Sequence, residues 1–227
     1  RFSQDAVRII EDVRRRGGRA IVAGGTGFYI RALTGAVELA PQFDEQLRGR
    51  LAREARLHDA AFLHEWLSFH DRARAKSLHP QDAYRVLRAL EVALGGDAAM
   101  QRREPVVSLQ SAGIPFVKAF LEIDDATLKH NIEDRTRTML ARGLLEEAER
   151  IGPEAIAASA VGYPQADAYL RGWCTEGELQ TLLNRATWRY AKRQQTWFRT
   201  EPQTIRVPVA DARATLARLA REKLGWA

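Results

Sequence analysis

The amino-acid sequence predicts an α/β fold with an incomplete parallel sheet, an inserted helical region and a helix-rich C-terminal part. The apolar run 20–23 follows an amphipathic helical pattern over 2–16 and precedes the turn Gly24-Gly25-Thr26, as a buried parallel strand does. Two further segments, 116–123 and 204–207, have the composition of strands. A buried parallel strand needs neighbouring strands and helices on both faces, so these candidates leave the sheet incomplete.

The segment 44–113 interrupts the strand-bearing parts of the chain. It is helical in pattern and rich in arginine, and Asp44 is a suitable N-cap for its first helix. We therefore expect an α/β core formed by 1–43 and 114–227, into which 44–113 is inserted as a helical region.

Two further helices have clear boundary signals. The turn 79–82 (HPQD) predicts a helix over 83–94 that ends at Gly95-Gly96. Asp124 or Asp125 predicts the start of a long helix that reaches about Ile151 and ends at Gly152-Pro153.

Composition limits the class of protein. The net charge is +6, which favours an anionic partner, and no apolar run approaches the roughly 20 residues that a membrane helix needs. The single cysteine, Cys174, excludes an internal disulfide framework and fits a reducing cytoplasm, and no signal peptide precedes the first helix. The five histidines show no metal-ligand spacing, so we predict no metal-binding residue.

The segment 184–199 carries five basic residues, two tryptophans and no carboxylate. In a helix, its basic side chains fall within about one third of the circumference, and they are Arg185, Arg189, Lys192, Arg193 and Arg199. Leu183, Tyr190 and Phe198 point to the other side and predict a face that docks on a core. The basic face is either a polyanion-binding surface or a solvated arginine-rich helix.

The turn Gly24-Gly25-Thr26 precedes a helix, where backbone amides and the helix dipole favour a phosphate. Thr26 would add a hydroxyl donor. The alternative is an ordinary glycine turn in which Thr26 is an N-cap. The sequence contains no G-x-x-x-x-G-K-[ST] phosphate loop.

Three other arginines are candidates for anion binding. Arg85 and Arg88 share one helix face, where they either clamp phosphates or stack on a base, or else lie in solvent. Arg135 lies between apolar positions at helical spacing, so we expect its stem to be semi-buried at the edge of the core. The anion that it would need is a protein carboxylate, such as Glu133 or Asp134, or a ligand diphosphate.

Taken together, the chain resembles the tRNA dimethylallyltransferases, also called tRNA isopentenyltransferases. The matching segments occur in the family's order and cover nearly the whole chain: 22–33 (VAGGTGFYIRAL), 79–92 (HPQDAYRVLRALEV), Arg135 with Met139 and Gly143-Leu144, 161–163 (VGY) and 190–199 (YAKRQQTWFR). The resemblance implies a P-loop NTPase-like parallel sheet. It also implies transfer of a dimethylallyl group from dimethylallyl diphosphate to N6 of the adenosine at tRNA position 37, next to the anticodon.

The resemblance also implies residue roles. Thr26 and Arg135 would be catalytic, because they would stabilise the leaving diphosphate, and Gly24 and Gly25 would bind the same group. Residues matching positions that contact tRNA are Arg48, Tyr84, Arg85, Arg88, Ser159, Ala160, Val161, Gly162, Tyr163 and Pro164. The cations Arg185, Arg189, Lys192 and Arg193 would follow the backbone of the anticodon stem.

The chain departs from the family pattern in several places. The family's Gly-rich phosphate loop and the aspartate proposed as its general base match nothing here and should precede Arg1. We therefore expect an N-terminally truncated piece, with most Mg²⁺ ligands in the missing segment. Pro164 and Asn131 stand where many members have arginine, and Asn131 could weaken diphosphate binding.

Two alternatives remain open beside the prenyltransferase. One is a non-catalytic tRNA-binding fragment, and the other is an adenylate isopentenyltransferase acting on free nucleotides. The inserted helical region and the aromatic-laced basic helix argue against the second, since a small substrate needs neither. We expect a cytoplasmic monomer.

Overall fold

A computed structural model describes residues 1–37, 44–101, 107–152 and 160–226. The chain forms two compact units. The helical unit comprises 1–20 and 29–113, and the sheet unit comprises 21–28 and 114–227. The boundary at 113/114 coincides with the end of the predicted insertion, whereas 1–20 and 29–37 group with the helical unit and not with the core to which the sequence analysis assigned them.

The first six helices lead from the N-terminus through the helical unit. The bounds of these helices are α1 Phe2–Arg15, α2 Gly27–Thr34, α3 Glu45–Leu57, α4 Ala60–His70, α5 Arg72–Lys76 and α6 Ala83–Gln101. The first two residues of α2 belong to the sheet unit, and its other residues belong to the helical unit.

Aspartate caps define the starts of the central helices. The Asp44 carboxylate accepts from the backbone N–H groups of Gln46 and Leu47 at 2.9 and 3.1 Å, which confirms the predicted cap of α3. Asp59 and Asp71 cap α4 and α5 in the same way. α3 to α6 then bury one apolar cluster formed by Leu51, Leu63, Leu67, Ala75, Val86, Ala89 and Leu90.

The sheet unit contains two strands and five further helices among its described residues. In chain order these are β1 Lys118–Glu122, α7 Asp125–Ala141, α8 Leu144–Ile151, α9 Tyr163–Leu170, α10 Glu176–Arg199, β2 Thr204–Pro208 and α11 Ala212–Leu224, with a short 3₁₀ turn before α11. β1 and β2 pair in parallel with Lys118 opposite Thr204 and Glu122 opposite Pro208. The predicted strands at 116–123 and 204–207 and the α/β class are confirmed.

A buried ion pair holds the start of this sheet. Lys118 Nζ lies 2.8 Å from Glu201 Oε1, and their side chains are only 9% and 0% exposed. Leu144, Leu179 and Leu183 form a separate apolar cluster where α8 and α10 meet. Both features require contacts between segments far apart in the chain.

The predicted strand at 20–23 is wrong. Residues 18–26 are neither helix nor strand, and Ile21 is 85% exposed. The described residues form one sheet of two strands, β1 and β2, and neither strand pairs with this run. An apolar run without a partner strand has no ladder hydrogen bonds to hold it in β conformation.

One predicted helix end is also wrong, and one helix predicted as continuous is two, although its end at Ile151 is confirmed. α6 continues through Gly95-Gly96 to Gln101, since a glycine inside a helix costs only about 1 kcal/mol and does not by itself stop it. The long helix after Asp124 breaks at Gly143, whose φ of +92° is left-handed and separates α7 from α8.

Candidate functional site

The turn Gly24-Gly25-Thr26 lies in the sheet unit and leads into α2 at Gly27. Thr26 is exposed. The turn touches α10: a Cβ atom on Gly25 would lie 2.1 Å from Gln194 Nε2, and one on Gly27 would lie 2.0 Å from Trp197 Nε1. Because no side chain fits at such distances, the backbone of the turn approaches α10 as only glycine allows.

Arg135 lies on α7 in the same unit and is exposed, so the prediction of a semi-buried side chain is wrong. The buried face of α7 is formed by Ile132 and Thr136, and a long arginine stem at its edge can extend into solvent. Asp134 binds Arg137 and lies 3.3 Å from His130. In the described part of the chain no ion pair joins Arg135 to a carboxylate, and no hydrogen bond joins it to Thr26.

The loop before α9 packs over the junction between α7 and α8. Gly162 is buried with φ of +119°, and a Cβ on it would lie 3.8 Å from both Met139 and Leu144. The Tyr163 hydroxyl donates to Glu147 Oε1 at 2.8 Å, and this hydrogen bond raises the pKa of Tyr163 above its usual range. Gly162 and Tyr163 therefore help to pack the loop against α7 and α8.

The remaining loop residues are more accessible. Ala160 and Val161 are exposed, and Pro164 is half-buried in the first turn of α9. Ser159 lies outside the described residues.

The basic face of α10 forms largely as predicted. Arg185, Arg189 and Arg193 are exposed, while Leu183 and Phe198 are buried on the opposite side. Tyr190 does not dock on the core: it is 41% exposed, and the Arg193 guanidinium lies 5.7 Å from its ring centroid. The aromatic ring therefore supports a cation of this face.

Lys192 has partners that the sequence analysis missed. Its Nζ lies 3.1 and 3.2 Å from the two carboxylate oxygens of Asp125 on α7. The ammonium groups of Lys192 and Lys129 each lie 5.3 Å from the Trp188 ring centroid. Asp125 and Lys129 are one turn apart on α7. This spacing predicts that they share a helix face, but it does not predict which other helix that face contacts.

The predicted anion-binding residues of the helical unit differ in accessibility. Arg48 is exposed on α3, and Tyr84 is 76% exposed at the start of α6. Arg85 pairs with Asp82 at 3.0 Å but remains largely accessible. Arg88 lies 2.8 Å from Glu91, a carboxylate that is only 6% exposed, so Arg88 also stabilises a buried charge.

The described residues offer no metal centre. Among 1–37, 44–101, 107–152 and 160–226, no group of three or more His, Cys, Asp or Glu side chains could hold a metal ion. Magnesium therefore stays a prediction, and no step below depends on it.

A pocket of about 320 Å³ lies in the helical unit and contains none of the predicted site residues. Its lining consists of Glu54, His58, Phe62, Glu65, Trp66 and Phe69.

No helix in the described part of the chain is long and apolar enough to cross a membrane.

Comparison with known proteins gives a consistent result. The family model described as IPP transferase matches residues 1–201. The tRNA dimethylallyltransferase of Geobacter sulfurreducens is 36% identical over 206 residues, which cover 88% of this chain and 66% of the relative. The tRNA dimethylallyltransferase of Symbiobacterium thermophilum is 37% identical over 231 residues, covering 95% of this chain and 70% of the relative.

Solved structures agree with the fold. The tRNA isopentenylpyrophosphate transferase of Bacillus halodurans superposes with a TM-score of 0.60 at 28% identity, covering 99% of this chain and 73% of that one. A eukaryotic dimethylallyltransferase acting on tRNA gives a TM-score of 0.67 at 22% identity over 97% of this chain and 60% of that one, which supports the fold alone.

The chain spans about two thirds of the length of the curated relatives that it matches. A P-loop NTPase-like sheet is consistent with the family. The family model covers most of the chain, and relatives above 30% identity cover about nine tenths of it or more. The chain therefore belongs to the IPP transferase family.

Proposed function

We propose that this chain transfers a dimethylallyl group from dimethylallyl diphosphate to N6 of the adenosine at tRNA position 37, giving N6-(dimethylallyl)adenosine. The observation that carries the proposal is the placement of the Gly-Gly-Thr turn directly on α10, the helix with the basic face. Membership of the IPP transferase family, whose similar relatives are named tRNA dimethylallyltransferases, supports it.

The reaction exchanges one bond for another. The N6 amine forms a bond to the allylic carbon, the bond between that carbon and the diphosphate oxygen breaks, and N6 releases a proton to solvent water. Negative charge grows on the leaving diphosphate, and donors fixed near it lower the barrier. In this proposal the backbone of Gly24 and Gly25, the Thr26 hydroxyl and the Arg135 guanidinium bind that group.

Arg135 is suited to this role because, among the described residues, no ion pair joins it to a carboxylate. Asp134, the adjacent residue, is engaged by Arg137 and His130, which leaves the exposed guanidinium of Arg135 available to an anionic ligand. Arginine presents a planar fork of donors that matches diphosphate oxygens.

The tRNA would lie along the basic face of α10. Arg185, Arg189 and Arg193 are exposed there, and the Trp188 ring holds the ammonium groups of Lys129 and Lys192 on the same side. To bind Lys192, a tRNA phosphate would have to displace the Asp125 carboxylate. Lys192 therefore contributes less to tRNA affinity than an unpaired lysine would. Arg48, Tyr84 and Arg85 of the helical unit supply further accessible contacts.

Delivery of the adenine to the prenyl donor requires the base to leave its stack. Unstacking costs a few kcal/mol, which phosphate contacts and stacking on exposed aromatic side chains offset.

We further propose that the protein is a cytoplasmic monomer that requires Mg²⁺.

The direct test is transfer of label from dimethylallyl diphosphate to unmodified tRNA by the 227-residue chain, with and without Mg²⁺. Labelled N6-(dimethylallyl)adenosine in tRNA supports the proposal. Labelling of free AMP but not tRNA would favour an adenylate isopentenyltransferase. Salt-dependent tRNA binding without any labelled product would show that the chain is a non-catalytic binding fragment.

A further inference from the structure

The contact between the Gly-Gly-Thr turn and α10 involves two side chains to which no role has been assigned. Gln194 faces Gly25, and Trp197 faces Gly27. A Cβ on Gly25 would lie 2.1 to 2.6 Å from the Gln194 amide, and a Cβ on Gly27 would lie 2.0 to 2.5 Å from the Trp197 indole. Thr26 stands between these two contacts, so its backbone position depends on both.

The two contacts differ in how easily they can yield. The Gln194 amide is the end of a flexible side chain, whereas the Trp197 indole is a rigid ring that is half-buried. Its neighbour Phe198 is buried and stacks on Phe120 of β1, with ring centroids 5.3 Å apart. The end of α10 is therefore fixed to the sheet, and Trp197 cannot move away from Gly27 without disturbing that packing.

We propose that Trp197 and Gln194 are positioning residues that hold the turn so that Thr26 and the amides beside it face the diphosphate. This inference rests on the proposed function for the identity of the ligand. It also explains why both Gly25 and Gly27 lack a side chain: any Cβ would lift the turn off α10 and move Thr26.

The same helix carries the basic face. Arg189, Lys192 and Arg193 precede Trp197 by one to two turns of α10. A single rigid element thus bears the proposed tRNA surface and the support for the leaving-group site. Substitutions at the support should therefore separate the two functions, lowering donor handling without weakening tRNA binding.

The test is a double-mutant cycle on Gly27→Ala and Trp197→Ala, read by calorimetric binding of inorganic pyrophosphate, by prenyl-transfer kcat and by tRNA Kd. Gly27→Ala should weaken pyrophosphate binding and lower kcat by about tenfold to a hundredfold, since a displacement of about 1 Å can have that effect, with tRNA Kd within about twofold. In the Trp197→Ala background the added Cβ has room, so its effect should fall below about threefold.

Gly177→Ala is the matched control, because Gly177 lies on the same helix and a Cβ there meets no atom within 4 Å. It should leave all three measurements unchanged. If Gly27→Ala fails to fold, Gln194→Ala replaces it: loss of that contact should weaken pyrophosphate binding by severalfold at unchanged tRNA Kd.

The outcomes separate this inference from the proposed function. Normal pyrophosphate binding by Gly27→Ala, or by its replacement Gln194→Ala, overturns the inference, as does an equal effect of Gly27→Ala in both backgrounds. If the wild-type chain binds pyrophosphate but makes no product, the cycle measured by pyrophosphate binding still decides the inference while the proposed activity fails. If the wild-type chain binds no pyrophosphate, both are overturned.

Discussion

The helical unit and the sheet unit differ in how far along the chain their contacts reach. The core of the helical unit is formed by α3 to α6, which follow one another in sequence. In the sheet unit, by contrast, Lys118 pairs with Thr204 across the strands and with Glu201 in a buried ion pair. The residues proposed for leaving-group chemistry, Thr26 and Arg135, belong to the unit with long-range contacts. The core of the helical unit therefore forms from neighbouring segments, whereas the proposed chemical site lies in the unit whose packing joins distant segments.

The largest expected effect concerns Arg135 in the sheet unit. Arg135→Ala should lower kcat for prenyl transfer by about 10²- to 10³-fold, because it removes one donor to the developing diphosphate charge. The tRNA Kd should change little. Arg142→Ala is the control, since this exposed arginine lies at the C-terminal end of the same helix and does not engage Asp134. Equal losses in kcat and tRNA affinity would contradict a leaving-group role.

The buried ion pair should dominate the stability of the sheet unit. Glu201→Ala leaves the Lys118 ammonium buried without its partner, which should lower the free energy of unfolding by about 3 kcal/mol. Glu122→Ala removes an exposed pair with Arg206 and should cost below about 1 kcal/mol. Urea denaturation measures both, and similar losses for the two variants would show that burial does not set the effect.

In the helical unit the corresponding effect should come from apolar packing. Leu67 is fully buried, so Leu67→Ala should lower the free energy of unfolding by about 3 kcal/mol through lost burial and a cavity. Leu57, which is exposed on α3, serves as the control, and Leu57→Ala should change stability by about 0.5 kcal/mol or less. A small effect at Leu67 would mean that the cluster of α3 to α6 is not the core of this unit.

A smaller effect is expected for the cations of α10. Lys192→Ala combined with Arg193→Ala should reduce the slope of log K for tRNA binding against log salt by between about 1 and 2, since each lost phosphate contact contributes up to about 1. Because Lys192 already pairs with Asp125, its share should be the smaller one. Filter binding over a salt series measures the slope, and Arg213→Ala combined with Arg221→Ala on α11 is a charge-matched control. An unchanged slope would show that this face is a solvated surface that does not bind tRNA phosphates.

The smallest effect should be a pH-dependent one at the start of α7. The Thr127 hydroxyl and then its backbone N–H donate to the Asp124 carboxylate at 2.6 and 2.8 Å, and these hydrogen bonds lower the pKa of Asp124. The stabilisation is therefore present above the unfolded pKa of about 4 and is lost as pH falls through the lower folded value.

Asp124→Ala should accordingly be less stable than wild type at pH 7, with the difference shrinking in acid. Asp124→Asn keeps an acceptor that does not titrate. It should retain most of the stabilisation by the cap and remove the dependence of that stabilisation on pH. Thermal unfolding between pH 2 and pH 7 measures both variants. A difference between wild type and Asp124→Ala that is constant over this range would contradict the titrating cap.

The sequence by itself determined the features that depend on short-range physics. The Asp44 cap, a cap at Asp124 or Asp125, the strands at 116–123 and 204–207 and the basic face of α10 follow from residue type, side-chain spacing and local hydrogen bonding. The structure confirms them and assigns the second cap to Asp124. The ordered motifs also identified the family, because they record residue types and not their three-dimensional neighbours.

Only the tertiary structure decided which neighbours these residues have. The run 20–23 has the composition of a strand, but strand formation requires a partner, and among the described residues neither β1 nor β2 pairs with it. Likewise, the approach of Gly27 to Trp197 and the grouping of Lys129 and Lys192 around Trp188 depend on how α10 docks. Helical periodicity fixes which face a side chain occupies, whereas the partner of that face is set by packing between segments distant in sequence.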